Sequence, residues 1–523
     1  MPRRFNINTA IPYVNAPPHL GFALEFVEAD VLARHRRQGG WEVRFQTGTD
    51  DNSLKNVRAA EVAARPVAQL VDRNAATYEA LRGPLALSCD DFIRTSRDAR
   101  HPPGVQRLWR ACEAAGDLYR KQYEGLYCVG CELFLTPPDL TADGLCPDHG
   151  VAPEPVAEEN WFFRLSRYED AVHDALVSGR LRVEPEVRRN EAIAFVAAGL
   201  EDFSVSRSVE RARGWGIPVP GDPDQVIYVW YDALAYYVSG LDYGRAGDAF
   251  RRWWVGADRR VHVIGKGILR FHAVYWPAIL LSAGVPLPTD VLVHDYLTVD
   301  GRKLGKSLGN AVDPVAVVER FGTDALRWWF VRDVPRVGDA DFTVDRLVAS
   351  VDDDLANGLG NLASRVATMV HRYRSGVVPP ADATRNGGPD RELLNAYAGL
   401  ARRVDEALEA FDFRQATGAI VGVVGKANRY VETVRPWALA KAERAGEPGA
   451  AARLDTALAL LVHACRALAS ELRPFVPGLA ARLASQFRGD PLPLPGPLFP
   501  RLGGRDGAGG AELHPGLVRQ AAH

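Results

Sequence analysis

No run of eighteen or more apolar residues occurs in the 523-residue chain, which excludes a membrane-spanning helix of ordinary length. Cysteine is scarce. Six in a chain of this size are too few for a disulfide scaffold. The opening segment, Met1-Pro2-Arg3-Arg4-Phe5-Asn6-Ile7, has neither the apolar core nor the small-residue cleavage site of a signal peptide. These absences together predict a reducing, cytoplasmic location. An excess of charge of one sign is missing too. The formal net charge is −2, so the chain as a whole is no basic nucleic-acid binder, and any RNA contact must come from local patches. No internal repeat is visible. What the chain does have is a composition of 47% apolar and 24% charged residues, ordinary for a globular protein with a large core. Its length predicts roughly two to four domains.

The N-terminal fifty residues read as strand, helix, strand. Phe5 to Ala10 alternates as a strand does, and Asn15, Pro17 and Pro18 break the chain. Apolar residues then recur at helical spacing from His19 to about Arg37, Gly39-Gly40 closes the helix, and Trp41 to Thr47 returns to a strand. A similar block follows near 261–300: a strand at Val261–Ile264, a helix over Ile268–Leu281 and a strand over Val291–Leu297. Such units build a parallel sheet through right-handed crossovers. Ligands of such sheets sit beyond the carboxyl ends of the strands. Between the blocks lies a long insertion that holds three clustered cysteines. After about residue 350, Ala- and Leu-rich helical patterns take over, as in Leu458–Leu472, with a linker from Pro379-Pro380 to Pro389 and a Gly-rich tail from Gly503.

Three motifs carry chemistry. In Pro12-Tyr13-Val14-Asn15-Ala16-Pro17-Pro18-His19-Leu20-Gly21-Phe22 a strand turns into a helix, whose N-terminus offers free N–H groups to a phosphate. His19 would add a donor there and Gly21 would admit a nucleotide; the plain alternative is a cap and relief of crowding. The second motif is Asp300-Gly301-Arg302-Lys303-Leu304-Gly305-Lys306-Ser307-Leu308-Gly309-Asn310. Its lysines and glycines suit a loop that folds over a triphosphate and stabilises charge on a leaving pyrophosphate; the alternative is a solvated basic turn. The third pairs Cys128-Val129-Gly130-Cys131 with Cys146-Pro147-Asp148-His149. Three thiolates and an imidazole in C-x2-C and C-x2-H turns fit a closed, structural tetrahedral zinc site with Cys128, Cys131, Cys146 and His149 as ligands.

In this order the motifs resemble the class I methionyl-tRNA synthetase family. His19-Leu20-Gly21-Phe22 stands at the family's "HIGH" position and Lys303-Leu304-Gly305-Lys306-Ser307 at its "KMSKS" position. The likeness extends through Thr47-Gly48-Thr49-Asp50-Asp51, Trp215-Gly216-Ile217-Pro218, Tyr228-Val229-Trp230-Tyr231-Asp232-Ala233-Leu234, Ile264-Gly265-Lys266, Phe271-His272, Asn361-Leu362-Ala363-Ser364-Arg365 and Pro436-Trp437, and so covers about residues 4–480.

The resemblance implies an α/β fold: a Rossmann-like parallel sheet with a zinc-knuckle insertion, then an all-α anticodon-binding bundle. It implies catalytic halves at 1–115 and 226–300, the insertion at 116–225, a loop and stem-contact region at 301–350, the bundle at 351–500 and a tail at 501–523. It implies ATP-dependent activation of methionine and transfer to tRNA(Met), with Mg2+ accompanying ATP, and a monomer. Ile11, Tyr13, Trp230, Ala233, Tyr237, Ile268 and His272 match the methionine pocket, and Asp50 the carboxylate that holds the substrate ammonium. His19, Gly21, Gly265, Lys303, Lys306 and Ser307 match the ATP site, with His19, Lys303 and Lys306 touching phosphates in the transition state. Asn361, Arg365 and Trp437 match the anticodon readers. Phe22, Asn52-Ser53, Gly267 and Leu304-Gly305 depart from the family pattern, all on the ATP side. They keep two alternatives open: a paralogue that passes an aminoacyl adenylate to a non-tRNA acceptor, and a tRNA-binding protein with weakened catalysis.

Overall fold

The computed structural model describes residues 2–130, 132–135, 137–147, 150–245, 247–299, 301–304, 310–380, 388–503 and 517, without the side chains of Leu133, Pro138 and Lys303. Lys306, Ser307, Cys131, His149, most of the expected linker and nearly all of the tail therefore lie outside the described residues. The chain divides into two compact units: Met1–Gly83 with Leu87–His294, and Pro84–Ala86 with Asp295–His523.

The first unit is built on six parallel strands. β1 (Arg4–Thr9) leads through helix α1 (Leu20–Gln38) to β2 (Glu42–Thr49). Helix α2 (Val67–Glu79) precedes β3 (Asp91–Arg94), and helix α3 (His101–Ala114) follows it. β4 (Arg182–Glu184), helix α4 (Val229–Ser239), β5 (Arg259–Gly265) and β6 (Asp290–His294) come later. The strand order is β3-β2-β1-β5-β6-β4, with every neighbouring pair parallel. Every residue of β1 after Arg4 is buried, as a central strand covered on both faces requires. Helix α1 starts on His19, whose side chain accepts the Gly21 N–H, and ends at Gly39 with His35, Arg36 and Arg37 in its last turn, where cations suit the dipole.

The stretch between β3 and β5 carries a four-stranded antiparallel sheet. Leu118–Cys128 is its long strand and pairs with both Leu133–Leu135 and Glu154–Phe163. This stretch also supplies β4, the edge strand of the main sheet. Nothing in its three residues distinguishes them from loop in the sequence.

Two local expectations change. The helix expected over Ile268–Leu281 is present without a break but is not uniform: a 3-10 turn at Lys266–Ile268 leads into it, Phe271–Tyr275 is a π turn, and Trp276–Ser282 is α-helical. Pro277 has no N–H to give the preceding turn, so a uniform helix is not available there. The strand expected to reach Leu297 stops at His294, and Leu297–Val299 joins a different, three-stranded sheet.

In the second unit, helices dominate. Arg327 is fully buried and donates to the carbonyls of Pro474 and Phe475 at 2.8 Å and of Leu85 at 2.9 Å, so its charge costs little despite its depth. A π-helical run, Asp352–Gly360, leads straight into helix Asn361–Arg374, and the long helices Phe413–Val434 and Ala450–Glu471 follow. Among the described residues no helix is long and apolar enough to cross a membrane.

Candidate active site

The expected site residues of the first unit gather at the carboxyl ends of β1, β2 and β5. The order of the sheet reverses between β1 and β5, which is where such sheets open a crevice. Ile11 and Tyr13 follow β1, and Asp50 ends β2. An isolated parallel bridge joins Tyr13 to Asp50, whose N–H donates to the Pro12 carbonyl at 2.9 Å. Gly265 ends β5, with Ile268 and His272 just beyond it.

Aromatic rings form the wall. Trp230 lies flat on Phe271 at 3.6 Å, meets Tyr13 edge-on at 6.3 Å and meets His272 edge-on at 6.5 Å. Tyr237 packs edge-on to His272 at 5.7 Å and stacks on His262 at 3.7 Å. Ala233 is buried, and Ile11 and Ile268 pack as half-buried residues against the same core. Phe271, quoted in the sequence match beside His272 but not assigned to the pocket, and His262 also belong to this wall. His262 was legible only as a polar residue inside a strand.

The polar end of this wall has a defined state. His272 Nδ1 donates to the Ile268 carbonyl at 2.9 Å, which leaves the lone pair on Nε2. Burial pushes the His272 pKa down to about 4, so the ring is neutral at physiological pH. Three polar atoms of the wall, Tyr13 Oη, Trp230 Nε1 and Tyr237 Oη, are buried with no hydrogen-bond partner.

Asp50 is 2% exposed, and its Oδ1 also has no hydrogen-bond partner. Burial, then the nearby carboxylates of Asp232, Asp51 and Glu132, hold its pKa well above the usual range. Its neighbours are already engaged. Asp51 accepts from Thr49, Arg94 and Ser96. Glu132 accepts from the Lys55 N–H and the Tyr127 hydroxyl. Asp232 accepts from His101 Nε2 at 2.5 Å and from Asn52 Nδ2 at 2.7 Å. Only Asp50 among these acids offers an oxygen with nothing bound to it, and a ligand ammonium would satisfy it.

Three of the departures, Asn52, Ser53 and Phe22, have structural roles. Asn52 ties its loop to Asp232, and Ser53 caps helix Leu54–Val62 by accepting the Asn56 N–H. The Phe22 ring lies 4.5 Å from that of His19 and meets Tyr78 edge-on at 5.5 Å. His19 Nδ1 accepts the Gly21 N–H at 3.1 Å, which places a neutral ring's proton on Nε2. A Cβ at Gly21 would come within 3.0 Å of His19 Cε1, so glycine is needed first to seat this ring. At Gly265 a Cβ would meet His294 at 3.5 Å, an ordinary contact. The fold itself therefore does not demand glycine there.

Of the "KMSKS" counterpart, Arg302–Lys303 pairs with Leu297–Val299 across a turn at Gly301. In the second unit Asn361 opens its helix, exposed, and Arg365 one turn later donates to Glu432 at 2.6 Å. Trp437 is 41% exposed at the start of helix Pro436–Arg444, which packs against helix Asn361–Arg374. Among the described residues no cluster of three or more His, Cys, Asp or Glu is arranged to hold a metal. Cys128 and Cys146 are both 1% exposed.

Comparison with known proteins agrees with this geometry. A family model described as "tRNA synthetases class I (M)" matches residues 5–153 and 149–367, and "Anticodon binding domain of methionyl tRNA ligase" matches 378–497. A methionine–tRNA ligase of Caldanaerobacter subterraneus subsp. tengcongensis is 40% identical over 488 residues, covering 93% of this chain and 74% of its own. One from Brucella suis is 38% identical over 519 residues, covering 95% of this chain and 98% of its own. The solved structure of Mycobacterium tuberculosis methionyl-tRNA synthetase in complex with methionyl-adenylate superposes with a TM-score of 0.90 at 38% identity, covering 95% of this chain and all of that one.

Proposed function

This chain belongs to the class I methionyl-tRNA synthetase family, and from that premise we propose that it joins methionine to tRNA(Met) through an ATP-made adenylate. The observation that carries the reading is the orphaned, buried Asp50 Oδ1 beside the wall of Tyr13, Trp230 and His272. An ammonium completes the carboxylate, and aromatic edges suit a thioether.

The methionine carboxylate attacks the α-phosphorus of ATP, the bond to the bridging oxygen breaks and pyrophosphate leaves. A hydroxyl of the tRNA terminal adenosine then attacks the adenylate carbonyl, and AMP leaves. No protein nucleophile is needed. The residues position the reactants and stabilise charge. Asp50 fixes the amino group. Neutral His272, with Nε2 as an acceptor, and Tyr237 line the side-chain pocket. His19 presents Nε2–H at the start of α1, where the N–H groups and the helix dipole favour phosphate. Lys303, Lys306 and Ser307 take the triphosphate side, with Gly21 and Gly265 beside the nucleotide and Mg2+ entering with ATP. Asn361, Arg365 and Trp437 read the anticodon, a role that the exposure of Trp437 supports.

Zinc fits the donor set of the insertion. Cys128 ends the long strand of the insertion's antiparallel sheet, Cys146 is a buried thiol in a loop of the same insertion, and Cys131 and His149 complete the set in sequence. Bound zinc would be structural there. The protein acts as a cytoplasmic monomer, with catalytic halves at 1–115 and 226–300 around an insertion at 116–225, a loop region at 301–350 and the helical bundle at 351–500.

The test is amino-acid-dependent exchange of pyrophosphate into ATP without tRNA, run over the twenty amino acids. A signal for methionine alone is expected. Silence for all twenty would transfer the assignment to a protein with weakened catalysis.

A further inference from the structure

Two buried carboxylates, Asp50 and Asp232, stand close enough for the charge of one to raise the pKa of the other, yet only Asp50 is open to a ligand. The difference traces to His101. Asp232 is fully buried on helix α4, the helix that carries Trp230 and Ala233. Its Oδ1 accepts from His101 Nε2 at 2.5 Å and its Oδ2 from Asn52 Nδ2 at 2.7 Å. Each oxygen of this acid therefore has a donor before any substrate arrives.

His101 opens helix α3 and is fully buried too. Its Nδ1 meets Ser239 Oγ at 2.7 Å, so both ring nitrogens are engaged by α4. The two partners are seven residues apart and share one helical face. A Cβ at Gly104 would stand 2.5 Å from Ser239 Cβ, so glycine in the first turn of α3 is what lets the two helices approach this closely. The line of contacts continues through Asn52. Its side chain holds Asp232, while its main-chain N–H faces the Asp50 carboxylate and stabilises the charge there. Without His101, Asp232 Oδ1 would become a second bare, buried acceptor beside Asp50, and a cation entering the site would be drawn to both.

We propose that His101 is a positioning residue for the amino acid: it saturates Asp232 and, through Asn52, steadies Asp50, so that the substrate ammonium meets one acceptor in one place. The inference rests on the synthetase reading and deepens its account of the amino-acid site. His101 acts through Asp232 and Asn52, and the chemistry passes no proton through it.

The test uses the full chain with His101→Leu, which removes both bonds, and His101→Gln, whose amide N–H can still reach Asp232. Methionine-dependent pyrophosphate exchange is measured with two inhibitors. L-Methioninol keeps the ammonium and lacks the carboxylate; 4-(methylthio)butanoate keeps the side chain and carboxylate and lacks the ammonium. His101→Leu should raise KM for methionine and the inhibition constant of methioninol roughly tenfold or more, the scale of one hydrogen bond to a charged group. KM for ATP and the inhibition constant of the deaminated compound should stay near their wild-type values, and His101→Gln should recover most of the loss. Equal weakening of both inhibitors would overturn the proposal, because α4 and its aromatic wall would then have shifted as a body. Unchanged methioninol binding would overturn it as well. If His101→Leu does not fold, Asn52→Leu, at a half-buried loop position, carries the same test. It should show the same split between the two inhibitors, and the lack of that split would overturn the proposal. A wild-type protein silent in exchange would remove the synthetase reading itself. A wild type that responds to methionine, matched by His101→Leu in every constant, would remove this proposal alone.

Discussion

Burial of Asp50 among Asp51, Asp232 and Glu132 makes its negative charge expensive until a cation arrives. A bound methionine ammonium lowers that raised pKa, so binding should release a proton between the free and bound values. Calorimetric titration in buffers of different ionisation enthalpy reads this directly, and identical apparent enthalpies would exclude it. Asp50→Asn should abolish the release and cost about 1.5–3 kcal/mol in kcat/KM for methionine. Phe22 makes a different kind of contribution. Phe22 departs from the family pattern, and its ring packs 4.5 Å from that of His19. Phe22→Leu should lower the exchange kcat roughly tenfold or more through loss of aim, leaving KM for methionine nearly unchanged; an unaffected kcat would mean that His19 needs no brace. At this scale the sequence was partly readable. His19, Tyr13, Asp50 and Trp230 stand out because the motifs that carry the family resemblance contain them: Tyr13 and Asp50 just beyond β1 and β2, His19 at the cap of α1 and Trp230 in the first turn of α4. The bond from Asn52 to Asp232 and the stack of His262 on Tyr237 join residues 180 and 25 positions apart, and no local pattern encodes such pairs.

Helix α1 shows how an element can carry function and strain together. It was legible from end to end, since its apolar spacing, its cap at His19 and its stop at Gly39 all agree. Its cost was not legible. Glu25 and Glu28 look like an exposed stripe in sequence, yet both are 6% exposed, and Glu28 Oε2 has no hydrogen-bond partner. Burial, partly opposed by His294, raises the Glu28 pKa from the ordinary 4.5 to about 7. The folded state thus holds a proton that the unfolded chain has released. The stabilisation from that proton is fully present below 4.5 and is lost as pH rises through about 7. Glu28→Gln, which mimics the protonated form, should therefore raise the thermal midpoint at pH 8 more than at pH 5, by on the order of 2 kcal/mol in stability. Equal shifts at both pH values would mean that Glu28 ionises normally. The helix after β5 is the counterpart: periodicity predicted its extent, but not the π turn at Phe271–Tyr275 that carries His272 just before Pro277.

At the scale of the whole chain, the residues proposed for the amino-acid pocket and for anticodon reading lie in different units, while Lys303, Lys306 and Ser307, proposed for the triphosphate, share the second unit with the anticodon set. The amino-acid wall, Asp50 and His19 belong to the first; Asn361, Arg365 and Trp437 belong to the second. The helical character of the later part was readable in the change of texture near residue 350, because helical repeats of Ala and Leu differ from alternating strands over long windows, but the boundary between the compact units falls earlier, between His294 and Asp295, where no change of texture marks it. The three-residue β4 was not readable, because a strand that short has no periodicity to detect. A net charge of −2 gives tRNA no general attraction to the protein, so recognition must rest on a few local contacts. Trp437, 41% exposed, offers an aromatic face to an unpaired base. Trp437→Ala should cost about 1–3 kcal/mol in kcat/KM for tRNA, the scale of one lost base stack. The same variant should leave methionine-dependent pyrophosphate exchange intact, because no residue proposed for activation lies on that helix. Measured side by side, a fall in charging with exchange preserved would assign Trp437 to tRNA. A parallel fall in both would show instead that the indole supports the fold, and anticodon reading would have to be sought on Asn361 and Arg365 alone.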